Sequence, residues 1–141
     1  MSVKKEGEDT VKEEYKKLIK EAEKARKRAY TPYSKFKVGA AVLCADGKIF
    51  TGCNIENASF GLAVCAERVA IFKAISEGST KFEVIAVIGD TDKPCFPCGA
   101  CRQVISEFGE DIPLIMANLK GDVKIKKIKE LLPLAMAVIL P

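Results

Sequence analysis

The stretch Phe82-Glu83-Val84-Ile85-Ala86-Val87-Ile88-Gly89 limits the possible folds more than any other part of the chain. Beyond Glu83 it is apolar up to its closing glycine, which predicts a strand covered on both faces rather than one with a wet side. Such a strand needs helices above and below its sheet, and the flanking sequence supplies them.

Val11, Tyr15, Leu18, Ile19, Ala22, Ala25 and Ala29 recur at three- and four-residue spacing, predicting an amphipathic helix from Thr10 to about Ala29. Thr31-Pro32-Tyr33-Ser34 then reads as a turn. Two apolar strands, 36–44 and 48–54, flank the hairpin signal Asp46-Gly47. An exposed loop is expected over 54–61, then a largely buried helix from Val64 to Glu77 capped by Gly78. A further helix is expected over 98–108, with Pro97 as its first residue. Two more strands follow, 113–118 and 123–126, the second an edge strand blunted by lysine, and a short helical turn over 128–132 stops at Pro133. This order predicts an α/β fold, a three-layer α/β/α sandwich around a mixed sheet of about five strands.

A chain of 141 residues that is 48% hydrophobic can bury one sizeable core but not two, so residues 10–141 are expected to form a single domain and residues 1–9 a flexible polar tail. No apolar run is long enough to span a bilayer and no secretory signal opens the chain, so a cytoplasmic protein without membrane contact is expected. The net charge of +4 is modest and its lysines are interleaved with acids, which does not suggest a nucleic-acid partner. The lysine-rich run over 120–129 reads as a solvated face. The apolar end from Leu134 to Leu140 requires cover, from this domain or from another subunit.

The chain has no histidine, so cysteines and carboxylates must carry any chemistry. Six cysteines could form disulfides in an oxidising compartment, but nothing indicates one. Cys98 and Cys101, three apart at a helix start, share one face, and with Cys65 they make a three-thiolate zinc site with one position open. Cys95 stands three residues before Cys98 and offers the alternative of a closed, structural four-thiolate site. Glu67 lies two residues from Cys65, poorly placed to ligate the same ion. It reads either as a proton carrier or as an ordinary glutamate of a first helical turn. Arg68 reads either as a surface arginine or as a cation that offsets the charge of three thiolates.

Cys65-Ala66-Glu67-Arg68 followed by Pro97-Cys98-Gly99-Ala100-Cys101-Arg102-Gln103 resembles the small zinc-dependent cytidine deaminases. The likeness runs from about Tyr30 to Pro133. It takes in Pro32-Tyr33-Ser34, Phe36-x-Val38-Gly39-Ala40-Ala41 and the run from Gly52 to Ala58. The resemblance implies one zinc per chain held by Cys65, Cys98 and Cys101, with Glu67 shuttling protons. It further implies that Phe36 packs on the pyrimidine, that backbone groups around Ala66 read the base edge, and that Asn54 with Glu56 binds the sugar hydroxyls. The expected reaction is hydrolysis of cytidine and deoxycytidine to the uridine nucleosides and ammonia, in pyrimidine salvage, by a homotetramer whose neighbouring chains complete each pocket. A deaminase of an aminopyrimidine nucleoside antibiotic and a non-catalytic zinc protein are the competing readings.

Overall fold

Phe82–Gly89 is a strand in which every residue but Glu83 is buried, as its composition requires. The computed structural model describes residues 12–138 and the backbone of Lys4–Lys5. In chain order the elements are β1 (Lys4–Lys5), α1 (Glu13–Arg26), β2 (Val38–Cys44), β3 (Ile49–Cys53), α2 (Ala66–Ser76), β4 (Phe82–Gly89), α3 (Gly99–Ser106), β5 (Pro113–Asn118), β6 (Asp122–Lys127) and α4 (Ile128–Leu131). The sheet order is β1-β6-β5-β4-β2-β3. β4 pairs parallel with β5 and antiparallel with β2, so the sheet is mixed.

Alternate side chains of the central strands feed two cores. On one face Leu18, Ile19 and Ala22 of α1 pack against Ala41, Val84, Ala86, Ile88 and Ile115. On the other, Ala66, Ala70, Ile71 and Ala74 of α2 and Ile105 of α3 pack against Ala40 and Val42 of β2, and against Ile85, Val87, Leu114 and Met116. These are the three expected layers. The register between β2 and β4 slips at one point: Leu43 faces Val84 but Cys44 faces Phe82, leaving Glu83 as an extra residue. That bulge lets Phe82 join the same core as Ile85 while Glu83 stays in solvent.

Several expected boundaries move for local reasons. α1 ends at Arg26 rather than near Ala29. Tyr30 is instead extended: its N–H donates to Asn54 O and its carbonyl accepts from Glu56 N–H, pairing that a helix does not allow. Thr10 and Val11 lie outside the described residues, as do Ile139 and Leu140 of the apolar C-terminal run. α3 begins at Gly99, because Cys98 takes the extended conformation of an N-cap (φ −69°, ψ 168°), so Pro97 precedes the helix instead of opening it. β6 is not the edge: Lys4 and Lys5, within the stretch expected to be a tail, pair parallel with Asp122 and Val123. The remaining residues of 1–9 lie outside the described residues. The 54–61 segment is pinned at Ile55, which bridges to Tyr30 on one side and Val64 on the other.

A candidate metal centre at two helix starts

Cys65 is the N-cap of α2, Cys98 the N-cap of α3, and Cys101 lies in the first turn of α3. Neither N-cap side chain makes a capping bond to the backbone of its own helix, so both sulfurs are free to turn toward each other. Cys65 Sγ lies 3.6 Å from Cys98 Sγ. Cys98 Sγ lies 3.5 Å from Cys101 Sγ, and all three sulfurs are within 4.8 Å of one another. Two thiolates at tetrahedral angles on one zinc stand about 3.8 Å apart, given Zn–S bonds of about 2.3 Å. The donor set and spacing therefore fit zinc. Cys101 is buried, Cys65 intermediate and Cys98 exposed, which leaves the cluster open on one side.

Cys95 does not belong to this cluster. Its backbone N–H donates to Ala117 O at 3.1 Å, which seats it against the end of β5, and its sulfur lies beside Gly89. The closed four-thiolate alternative finds no support in this arrangement: the backbone at Cys95 is bonded to the sheet and its sulfur lies outside the three-sulfur group.

The charges around the sulfurs are arranged to hold a thiolate. A hydrogen bond from Cys101 and another from the Arg68 guanidinium pull the Cys65 thiol down to about 5. Cys101, the donor in that contact, is pushed up by the same hydrogen bond and by burial. Arg68 Nη2 donates to Cys65 Sγ at 3.4 Å, so Arg68 is a partner of the cluster and not simply a surface arginine. Its Nε is buried and makes no hydrogen bond among the described residues. The two helix N-termini add their partial positive charge to the same point.

Glu67 is only 3% exposed, and burial pushes its carboxyl up to about 7, with the neighbouring Cys65 thiolate adding to the effect. An ordinary first-turn glutamate faces water; this one is buried and feels the charge of the sulfur cluster. Ala66, beside it, is fully buried. β3 fixes how α2 is placed: a Cβ at Gly52 would lie 2.5 Å from both Ala66 O and Ala70 N, so no side chain fits where the helix crosses the strand.

Phe36, Asn54 and Glu56 come together in a second group. Asn54 Nδ2 donates to Phe36 O and Asn54 Oδ1 accepts from Val38 N–H, each at 2.8 Å. Glu56 Oε1 accepts from the amides of Tyr33 and Ser34 at 3.0 and 3.1 Å, and Glu56 Oε2 accepts from Ser34 Oγ. The Ser34 hydrogen bond holds the Glu56 carboxyl below its ordinary value. Phe36 N–H in turn donates to Ser34 Oγ at 3.0 Å. Lys35, between them, sits in the left-handed region at φ 61°. A cavity of about 410 Å³ opens here, lined by Tyr33, Ser34, Glu56, Asn57, Phe60 and Ala63.

Sequence reasoning assigns no role to Ser34, Gly52 or Arg102. Arg102 Nε donates to Pro97 O and Nη1 to Leu131 O, both at 2.9 Å, strapping the turn before α3 to α4. Gln103 Nε2 donates to Met136 O at 3.2 Å and brings the C-terminal segment to the same helix. Their place directly after Cys101 is the available signal, since residues one and two positions past a ligand on a helix face away from the ion and toward supporting structure.

A profile of the cytidine and deoxycytidylate deaminase zinc-binding region matches residues 12–116. The chain is 54% identical over 118 residues to a cytidine deaminase of Sporosarcina psychrophila, covering 83% of this chain and 87% of that one. It is also 32% identical over 109 residues to a blasticidin-S deaminase of Bacillus cereus, covering 72% of this chain and 77% of the relative. Among solved structures, cytidine deaminase from Burkholderia pseudomallei superposes with a TM-score of 0.85 at 50% identity, covering 86% of this chain and 98% of that one. With its three sulfurs at two helix starts and a buried glutamate beside them, the chain belongs to the zinc-binding cytidine and deoxycytidylate deaminase family.

Proposed function

We propose that this chain is a hydrolytic cytidine deaminase that converts cytidine and deoxycytidine to uridine and deoxyuridine with release of ammonia, residues 10–141 acting as one domain. The observation that carries the reading is the meeting of Cys65, Cys98 and Cys101 within 4.8 Å, with the buried carboxyl of Glu67 against them.

Zinc, when bound by the three cysteines, supplies the Lewis acidity that lets water serve as a nucleophile near neutral pH. Glu67 takes a proton from the attacking water and passes it to N3 of the base, then takes the remaining proton of the hydroxyl added at C4 and delivers it to the amine as the C4–N bond breaks and the carbonyl forms. Water in and ammonia out balance the conversion of cytidine to uridine. Burial of Glu67 favours its protonated form, the form that donates to N3 and to the leaving amine. Arg68 offsets the negative charge of three thiolates. Backbone groups at Ala66 read the base edge and Phe36 packs on the ring.

Asn54 and Glu56 carry the sugar hydroxyls as well as the loop they already hold. Asn54 Nδ2 has a second hydrogen, and both residues keep acceptor capacity beyond the loop contacts. A base lacking its sugar leaves that capacity unmatched, which favours nucleosides over cytosine.

The proposal includes a cytoplasmic homotetramer working in pyrimidine salvage. Six free cysteines, three of them metal ligands, suit a reducing compartment. Leu134, Met136 and Val138 project from the described chain at 103%, 79% and 79% exposure, a run of apolar side chains that a neighbouring copy can cover.

Ammonia release by zinc-loaded protein from cytidine, deoxycytidine, cytosine, adenosine and blasticidin S tests the reading. Turnover of both cytidine nucleosides with little from cytosine or adenosine is expected. Inert cytidine overturns the proposal, and preference for blasticidin S replaces it with the antibiotic-deaminase reading. Sedimentation giving a mass other than four chains overturns the tetramer.

A further inference from the structure

Gly89 ends β4 between two partners, facing Val38 on β2 and Asn118 on β5. A Cβ built on it would lie 3.1 Å from Cys95 Sγ, 3.2 Å from Phe36 Cζ and 3.5 Å from Cys95 Cβ. The thiol of Cys95 and the tip of the Phe36 ring thus share the space that the missing side chain leaves. Cys95 is 8% exposed, and burial together with the charges of Glu67 and Cys65 pushes its thiol up.

We propose that Gly89 and Cys95 are positioning residues that set how far the Phe36 ring projects into the base pocket, and hence how tightly the pyrimidine is held. The inference rests on the deaminase reading and on the place of Phe36 against the base. Of the three neighbours, only the ring can yield. Gly89 is tied on both sides by strand pairing, and Cys95 is buried with its backbone bonded to Ala117 O. Phe36 is 39% exposed. Bulk added at Gly89 therefore moves the ring by a few tenths of an ångström, and bulk removed at Cys95 lets it sink back. Neither change replaces a metal ligand or Glu67, so ground-state binding of the base should change more than the chemical step.

The test is a double-mutant cycle on the zinc-loaded enzyme with cytidine. Gly89→Ala should raise KM about five- to twentyfold with kcat within about threefold, the pattern of lost ground-state binding. In a Phe36→Leu background, which lacks the ring tip, the same substitution should change KM less than about twofold. Cys95→Ala leaves the backbone of β4 untouched and serves should Gly89→Ala fail to fold. It should raise KM about two- to fivefold with Phe36 present and have no further effect in the Phe36→Leu background. Equal KM effects in both backgrounds, or an unchanged KM in Gly89→Ala or Cys95→Ala, overturns the inference. A wild type that turns over cytidine while the cycle shows no coupling sinks this inference alone; a wild type that releases no ammonia removes the deaminase reading and this with it.

Discussion

The carboxamide of Asn54 pairs with the backbone around Phe36 as a neighbouring strand would, donating to Phe36 O and accepting from Val38 N–H at 2.8 Å each. A single side chain thus extends the β2 ladder past its last backbone rung and fixes where Phe36 leaves the sheet. Asn54→Asp keeps the acceptor for Val38 but sets a carboxylate against the Phe36 carbonyl, and Asn54→Ala removes both bonds. Each should cost about 1–3 kcal/mol, with the aspartate the worse of the two because it leaves two acceptors facing each other. Thermal unfolding of both variants checks this, and equal stability of Asn54→Asp and wild type would contradict it.

Glu56 makes the neighbouring clamp pH-dependent. Its folded carboxyl is held below the ordinary value of 4.5, chiefly by the Ser34 hydroxyl. The unfolded chain therefore takes up the proton first as pH falls. Stability from the clamp is complete above the unfolded pKa and is lost as pH drops through the lower folded value. Ser34→Ala should raise the Glu56 pKa toward its ordinary value, read from carboxyl carbon shifts in an NMR titration. An unchanged titration would remove Ser34 from the clamp.

The layers, the order of β2 to β6 along the chain and the three clustered cysteines are legible in the sequence, because each depends on local pattern: apolar runs, a hairpin signal, two cysteines three apart. The contacts that aim those parts are not. Gly52 meets Ala66, Ser34 meets Glu56 and Gly89 meets Cys95 only after the chain has folded back, and no periodicity in the sequence marks such meetings. The end of α1 escapes the helical pattern for the same reason, since Tyr30 leaves the helix to pair with residues 54 and 56. Cys95 illustrates the limit most sharply: its spacing to Cys98 matches a ligand pair, but its backbone bond to Ala117 O belongs to the sheet.

Gly52→Ala should disturb the metal centre although it changes no ligand. Its methyl would fall 2.5 Å from two backbone atoms of α2, Ala66 O and Ala70 N, so the helix that presents Cys65 and Glu67 must back away. Overpacking of this kind costs about 1–3 kcal/mol, and more where the obstacle is backbone. Zinc content and unfolding temperature should both fall, whereas Gly61→Ala, with nothing within 4 Å of the added carbon, should leave both unchanged. Full zinc content in Gly52→Ala would show that α2 tolerates the shift.

Glu67→Gln separates proton transfer from metal binding. Glutamine matches the shape of the buried carboxyl but cannot take up or release a proton, so zinc content should stay at one per chain. Ammonia release from cytidine should fall at least about 10²–10⁴-fold, the usual contribution of a general acid–base group. Turnover near the wild-type rate would take Glu67 out of the reaction.

Cys95 and Cys98 make opposite predictions from equal chemistry. Cys98 Sγ stands 3.6 and 3.5 Å from the other two sulfurs, and Cys95 lies outside that group. Cys98→Ala should therefore abolish stoichiometric zinc binding, because two thiolates without a third hold the ion too weakly to survive dialysis against a chelator. Cys95→Ala should keep one zinc per chain, and X-ray absorption of that variant and of wild type should give the same three sulfur neighbours. A loss of one sulfur from the zinc shell on removing Cys95 would restore the closed site and with it a structural role for the metal; three sulfurs in both leave the fourth position for water.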